Sequence, residues 1–220
     1  WQNLIRVLTH EIMNSITPIV SLASTARTLL GENGGATNPE DRETEDDIRG
    51  AVRTIEERGR GLLRFVESYR TLTRIPEPVF RVVPVRELFD RLSRLFRDRV
   101  EASGIRTDIF IAPESLELTV DPELVEQMLI NLVQNALQAL DGRENGLIRL
   151  SAGLDELSRP FIRVADNGPG IEKDVMEKIF IPFFTTRHEG SGIGLSLSRR
   201  IARLHGGTIT VASKQDEETV

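Results

Sequence analysis

The sequence predicts an α-helical hairpin that pairs into a dimeric four-helix bundle, followed by an α+β sandwich. Three observations predict it. Apolar residues recur in steps of three and four at Ile5, Leu8, Ile12, Ile16, Ile19, Ala23, Ala26 and Leu30, the spacing of a bundle seam. The same stepping resumes at Ile48, Val52, Ile55, Gly59, Leu62, Val66 and Tyr69. Beyond Ile75-Pro76-Glu77-Pro78 the period changes to short alternating runs interleaved with helical ones, the pattern of helices packed on one face of a mixed sheet.

The first helix carries Pro18 inside its apolar pattern. Proline removes one backbone hydrogen bond and costs about 3 kcal/mol in a helix interior, so a bend is expected just after the turn that holds His10. Residues 31–47 are polar, glycine-containing and acidic and read as the loop of the hairpin. The second helix ends where two prolines forbid continuation. Two long apolar stripes cannot both be buried within one hairpin, so residues 1–75 are expected to pair with a second copy. Residues 76–78 form a linker, and residues 79–220 a second domain.

In that domain residues 79–83 alternate like a strand, residues 84–103 read as a helix closed by Gly104, and residues 105–111 and 116–120 read as two strands in hairpin spacing. Asp121-Pro122 is a strong helix start, an N-cap followed by proline at the first helical position. The helix it opens runs to Leu140, with Leu124, Met128, Leu132, Leu137 and Leu140 as apolar contacts. Strands are expected at residues 147–154 and 161–165, a helix from the glycine-rich segment to His205, and a strand at 208–213. The chain stops at Val220, where the hairpin partner of that strand is expected to begin.

Bulk properties narrow the function. With 220 residues, 39% hydrophobic and 28% charged, the chain is long enough for a proper core. A net charge of −6 lacks the basic footprint of nucleic-acid binding. Without cysteine there is no disulfide, no thiolate metal site and no thiol nucleophile, and His10, His188 and His205 are too scattered for a zinc cluster. Any metal is therefore held by oxygen ligands. No run of 18 apolar residues and no signal-peptide pattern occurs. The chain opens at Trp1 already in helical pattern, as a fragment of a longer protein would.

Five segments carry chemistry. His10 and Asn14 are one helical turn apart and share a face, with Glu11 adjacent. His10 lies roughly 200° around the helix from Ile12 and so faces solvent. Imidazole, neighbouring carboxylate and carboxamide suit a phosphoryl acceptor, although a His-Glu pair alone more often marks a surface histidine. Asn131 and Asn135 are likewise one turn apart, and their carboxamides suit phosphate oxygens or a hydrated magnesium ion; a plain polar face is as common. In the segment 166–171, DNGPGI, the Asp166 carboxylate at a strand end can accept from an exocyclic amine, while Gly168 and Gly170 let backbone approach a flat base. An ordinary turn has the same composition. Residues 180–190, FIPFFTTRHEG, are too polar for core and too apolar for an idle loop, which suits a lid, and Arg187 within it has the reach for a terminal phosphate. Gly190, Gly192 and Gly194 precede a helix, where free amides bind phosphate, but they fit neither the GxxxxGK[ST] nor the GxGxxG pattern.

The conjunction is specific. HEIMNSITPI, NLVQNALQAL, DNGPGI, FIPFFTT and GSGIGLSLS, in this order, closely resemble the five sequence boxes of sensor histidine kinases of two-component systems, with the nitrogen-regulation, NtrY-like type the nearest in look. The resemblance implies a dimerisation and histidine-phosphotransfer hairpin followed by a Bergerat ATP-binding domain. It implies ATP with Mg2+ as cofactors, a response-regulator receiver domain as partner, and an added phosphatase activity. By that likeness His10 is the phosphoacceptor, Glu11 its general base, and Asn14 the residue that positions the transferred group or water. Asn135 is the magnesium ligand, Asn131 a phosphate-side contact and Asp166 the adenine-amine acceptor. Gly168, Gly170, Gly192 and Gly194 are backbone-approach positions, and Ile171, Phe184, Thr185, Thr186, Arg187, Gly190 and Leu195 complete the nucleotide contacts. Arg187 stands where many relatives have lysine; the charge is kept but a planar fork replaces a point charge. The likeness further implies a cytoplasmic portion without direct membrane contact, belonging to a protein that missing N-terminal segments can anchor in the bacterial inner membrane. Two other readings use the same residues: another ATPase of the same nucleotide fold with His10 incidental, or a catalytically weak dimeric scaffold.

Overall fold

A computed structural model describes residues 12, 16–26, 39–73, 75–187, 190–214 and 218–220. The chain divides into two compact units, Trp1–Arg74 and Ile75–Val220. Within the first, residues 16–26 are helical (α1), as is Pro39–Thr73 (α2). The loop expected over residues 31–47 is therefore shorter than its composition suggested. Proline at the first helical position is a favourable helix start, because its missing N–H costs nothing there. Ala26, Ala51 and Leu72 are buried, whereas Val20, Val52, Leu63 and Val66 are at least half exposed. The bend expected after the His10 turn falls on residues outside those described.

The second unit runs β1 (Arg81–Pro84), α3 (Val85–Ala102), β2 (Arg106–Ala112), β3 (Glu117–Val120), α4 (Pro122–Ala139), β4 (Leu147–Leu154), β5 (Pro160–Asp166), α5 (Lys173–Met176), α6 (Gly194–Leu204), β6 (Ser213–Lys214) and β7 (Glu218–Thr219). One sheet has the order β2-β4-β5-β7-β6, and β1 pairs with β3 in a separate ribbon. The hairpin expected between β2 and β3 does not form. β2 instead runs parallel to β4, Ile109 opposite Leu150, and β3 runs antiparallel to β1, Val83 opposite Leu118. Strand partners are chosen by which register buries the apolar face, and adjacency in sequence is only one route to that.

That face meets two helices. Leu88, Phe89, Leu92 and Phe96 of α3 and Leu129, Val133, Ala136 and Leu137 of α4 pack with Ile148, Leu150 and Ala152 of β4. This is the expected α+β layering, with α4 and α6 packed together beside the sheet. The strand expected at residues 208–213 is confined to its last residue, Ser213, in β6. Its hairpin partner was expected to lie past Val220, but β7 fills that place: Ser213 faces Thr219, and Ala212 and Val220 exchange both backbone hydrogen bonds at 2.8–2.9 Å. β7 in turn meets the end of β5, Thr219 opposite Asp166.

Candidate functional site

α4 starts where its sequence says. The Asp121 side chain caps it, Oδ1 accepting from the amides of Glu123 at 3.0 Å and Leu124 at 3.1 Å, with Pro122 behind. With Leu124, Val125, Leu129, Val133, Ala136 and Leu137 turned inward, Asn131, Asn135 and Gln138 fall in steps of four and three along another face. Asn131 and Asn135 are half-buried. Asn131 Nδ2 donates to the Gly194 carbonyl at 3.5 Å, which ties this face to the start of α6. The Asn135 carboxamide has no hydrogen-bond partner among the described residues; only its main-chain oxygen is engaged, by Arg187 Nη2 at 3.4 Å.

β5 delivers Asp166 to the same place, 8% exposed. Its Oδ1 accepts the Gly168 amide at 2.9 Å and so folds the following turn back on itself. Glycine is required at 168 because a Cβ there would stand 2.6 Å from Asp166 Oδ1 and 3.0 Å from Ala139 Cβ. Gly170 adopts φ +82°, open to glycine at no steric cost. Two anchors of this turn were not foreseen from sequence. Asn167 accepts from the Leu147 amide at 2.7 Å and donates to the Asn145 carbonyl at 3.0 Å, and Ser213 Oγ accepts from the Ile171 amide at 2.9 Å. The asparagine between Asp166 and Gly168 was the available signal, hidden because Asn-Gly is ordinary turn chemistry.

The segment after α5 is pinned at several points. Phe180 lies under the Arg199 guanidinium of α6, 5.0 Å from its ring centroid. Phe183 has φ +67°, and its amide donates to the Gly192 carbonyl at 2.9 Å. A Cβ on Gly192, itself at φ +66°, would come within 2.5 Å of the Phe183 carbonyl carbon. Phe184 is half-buried, while Thr185, Thr186 and Gly190 are exposed. Thr185 Oγ1 accepts from the Arg187 amide at 3.1 Å. Arg187 reaches across to α4, where Nη1 donates to Gln138 Oε1. Partial desolvation pulls the Arg187 pKa below its ordinary value, and the Asp166 carboxylate opposes that shift. Gln138 is the third residue that sequence reading passed over.

α6 begins at Gly194 with no side chain capping its first amides; Leu195 is half-buried behind it. Its first-turn N–H groups lack intrahelical partners, as at every helix start, and are oriented toward an anion. The structure thus brings together Asn131, Asn135, Asp166, Gly168, Arg187, Gly192 and Gly194 from four separate segments. His10, Glu11 and Asn14 lie outside the described residues. No cluster of three His, Cys, Asp or Glu side chains suited to a metal occurs among the described residues. No helix among them is long and apolar enough to cross a membrane.

Residues 120–220 match the family model described as histidine kinase-, DNA gyrase B-, and HSP90-like ATPase. The chain is 33% identical, over 93% of its length, to the C4-dicarboxylate transport sensor protein DctB of Rhizobium meliloti, of which it covers 31%. It is 30% identical over 95% of its length to the nitrogen regulation protein NtrY of Azorhizobium caulinodans, covering 26% of that protein. It therefore spans less than a third of these relatives. Among solved structures, the catalytic domain of histidine kinase ThkA shares 33% identity at a TM-score of 0.58, over 64% of this chain and 93% of that one. ThkA in complex with the response regulator protein TrrA shares 26% identity at a TM-score of 0.64, over 98% of this chain and 59% of that one.

Proposed function

This chain belongs to the sensor histidine kinases, and from that premise we propose that it binds ATP, phosphorylates its own His10, and passes the phosphoryl group to an aspartate of a response regulator. One observation carries the nucleotide half of this reading: four separate segments converge on Asp166, Gly168, the Asn135 carboxamide, Arg187 and the uncapped start of α6. A buried carboxylate beside a glycine that admits no Cβ suits the amine and flat face of adenine. Uncapped amides at Gly194 and Leu195, with Asn131 holding the Gly194 carbonyl, suit phosphate.

In this reading Asp166 accepts from the adenine amine, and Gly168, Gly170 and Ile171 form the wall along the base. Phe184, Thr185 and Thr186 belong to the cover, and Arg187, Gly190, Gly192, Gly194 and Leu195 surround the phosphates. Magnesium fits the donor set: the Asn135 carboxamide oxygen has no partner among the described residues, and such an ion keeps several waters and substrate phosphate oxygens, so it takes few ligands from the protein. When bound, it would neutralise charge on the phosphate oxygens.

His10 then attacks the γ-phosphorus in line. A nitrogen–phosphorus bond forms, the bond to the β–γ bridging oxygen breaks, and ADP leaves. Glu11 receives the imidazole proton, and Asn14, one turn along, positions the group in transfer and in dephosphorylation of the regulator. An imidazole suits the task because its reference pKa of about 6.5 leaves it largely neutral at pH 7. The exposed Val52, Leu63 and Val66 of α2 support dimerisation through the first unit, since such a stripe is ordinarily covered by a second hairpin. The chain would act as the cytoplasmic part of a longer protein.

The deciding experiment incubates the chain with ATP labelled on the γ-phosphate. Acid-labile, base-stable label is expected on the wild type and none on His10→Gln. Label that persists in the variant, or never appears on the wild type, overturns the assignment. Full ATP hydrolysis by His10→Gln would point instead to another ATPase of this fold.

A further inference from the structure

We propose that Asp121 and His205 are positioning residues for phosphoryl transfer: they strap Val79 and Phe80, where the linker enters the second unit, to the start of α4 and the end of α6. The proposal rests on the kinase reading above. Three groups converge there. Asp121 uses one carboxylate oxygen to cap α4, while the other, Oδ2, accepts the Val79 amide at 2.8 Å. The Asp121 amide donates to His205 Nε2 at 3.0 Å. Because Nε2 accepts, the ring hydrogen sits on Nδ1, which donates to the Ile201 carbonyl at 2.8 Å. The Phe80 ring meets the imidazole edge-on, with centroids 5.3 Å apart.

The cap alone does not require this arrangement. Capping uses Oδ1, so the contacts of Oδ2 and of the backbone amide serve something else. The strap is also remote from the candidate nucleotide site. Asp121 precedes Asn131 by ten residues on α4 and His205 follows Gly194 by eleven on α6, about 15 Å in each case at the rise of an α-helix. Asp121 and His205 thus join the far ends of the two helices that carry the site to the point where the linker arrives.

The linker itself contains Pro76 and Pro78, whose fixed φ angles restrict it. A stiff linker fastened at Val79 leaves the unit at one point. If the fastening is lost, residues 79 and 80 join the linker, and β1 pairing begins only at Arg81 opposite Val120. Two residues add up to roughly 7 Å of slack. Transfer between groups on the two sides of a linker is sensitive to far smaller errors, since about 1 Å of misplacement can cost a hundredfold in rate.

Two variants of the full chain separate strap from cap. Asp121→Asn keeps a side-chain oxygen for the α4 amides, and asparagine caps as well as aspartate, but it turns an NH2 toward the Val79 N–H. His205→Phe keeps a ring beside Phe80 and loses both imidazole hydrogen bonds. Hydrogen exchange is expected to accelerate at least tenfold at the Val79 amide in the first variant and at the Asp121 amide in the second. The Kd for a non-hydrolysable ATP analogue and the KM for ATP should stay within twofold, while His10 labelling at saturating ATP falls about tenfold. Unchanged exchange, or labelling at the wild-type rate with the amides deprotected, overturns the proposal. So does a loss of nucleotide affinity in step with rate, which would mark the pair as merely structural. A wild-type chain that binds nucleotide but never labels His10 overturns the kinase reading and the proposal together; a wild type that labels while both variants match it overturns the proposal alone.

Discussion

Gly168→Ala tests the nucleotide site at its tightest point. The added methyl would lie 2.6 Å from Asp166 Oδ1, about 0.8 Å short of ordinary contact, and 3.0 Å from Ala139 Cβ on its other side. It is wedged between the end of β5 and the last turn of α4, two packed elements with little freedom to part. The turn must move, and the 2.9 Å bond from the Gly168 amide to Asp166 is the first casualty. A hydrogen bond to a charged group contributes about 1.5–3 kcal/mol, and overpacking of this kind costs about 1–3 kcal/mol. The Tm should fall by about 5 °C or more, given about 2–4 °C per kcal/mol for a chain of this size. Displacing the Asp166 carboxylate by even one hydrogen bond's worth should weaken ATP-analogue binding about tenfold or more, since each 1.4 kcal/mol is a factor of ten. Calorimetric titration and thermal melting give both numbers. Wild-type affinity in Gly168→Ala would refute the placement of the base against this turn.

Three further outcomes follow from the same geometry. Burial opposes ionisation of Asp121, but the amides of Val79, Leu124 and Glu123 prevail and hold its pKa below the ordinary carboxylate value. Its stabilisation is therefore complete above the unfolded value of about 3.9 and is lost as pH falls through the lower folded one; guanidinium unfolding between pH 3 and 7 should show an acid limb that flattens in Asp121→Asn. Ser198 is fully buried in α6 and its hydroxyl has no partner among the described residues, so Ser198→Ala should leave stability unchanged or raise it by up to about 1 kcal/mol with unaltered His10 labelling, and a loss beyond about 1 kcal/mol would show a hidden partner. Leu63→Glu places a charge on the exposed apolar stripe of α2; light scattering should report a monomer, whereas a surviving dimer would move the interface elsewhere.

The legible parts of this chain are those whose signal is local. Asp121-Pro122 marked the start of α4 because a cap and a first-turn proline act within three residues. The strands at 147–154 and 161–165 announced themselves by composition and came out within a residue. The partner of β2 did not, because parallel pairing with β4 is decided by which register buries Ile148 and Leu150, a matter settled forty residues away. The C-terminal strand failed for a related reason: residues 208–212 alternate suitably, yet only Ser213 and Lys214 find a neighbour in β7. In the site, residue types were readable and attachments were not. Asp166 and Gly168 could be named, but Asn167, Ser213 and Gln138, which hold the turn and Arg187 in place, have no motif of their own.

α4 shows why a motif can be read while its cost goes unnoticed. Its inward face is conventional, yet Asn131 and Asn135 are poor helix formers placed mid-helix, and Ala136 and Ala139 are small where larger apolar residues would bury more. The asparagines weaken the helix, and the alanines bury less than larger residues would. Asn131 holds the Gly194 carbonyl, the Asn135 carboxamide has no partner among the described residues, and Ala139 lets Gly168 come within the space a Cβ would need. The stability surrendered in the C-terminal half is offset at the other end, where Asp121 satisfies three backbone amides and lends its own to His205. Local rules are broken in one half of the helix and over-fulfilled in the other, a distribution expected when a site and its mechanical anchor occupy opposite ends of one rigid element.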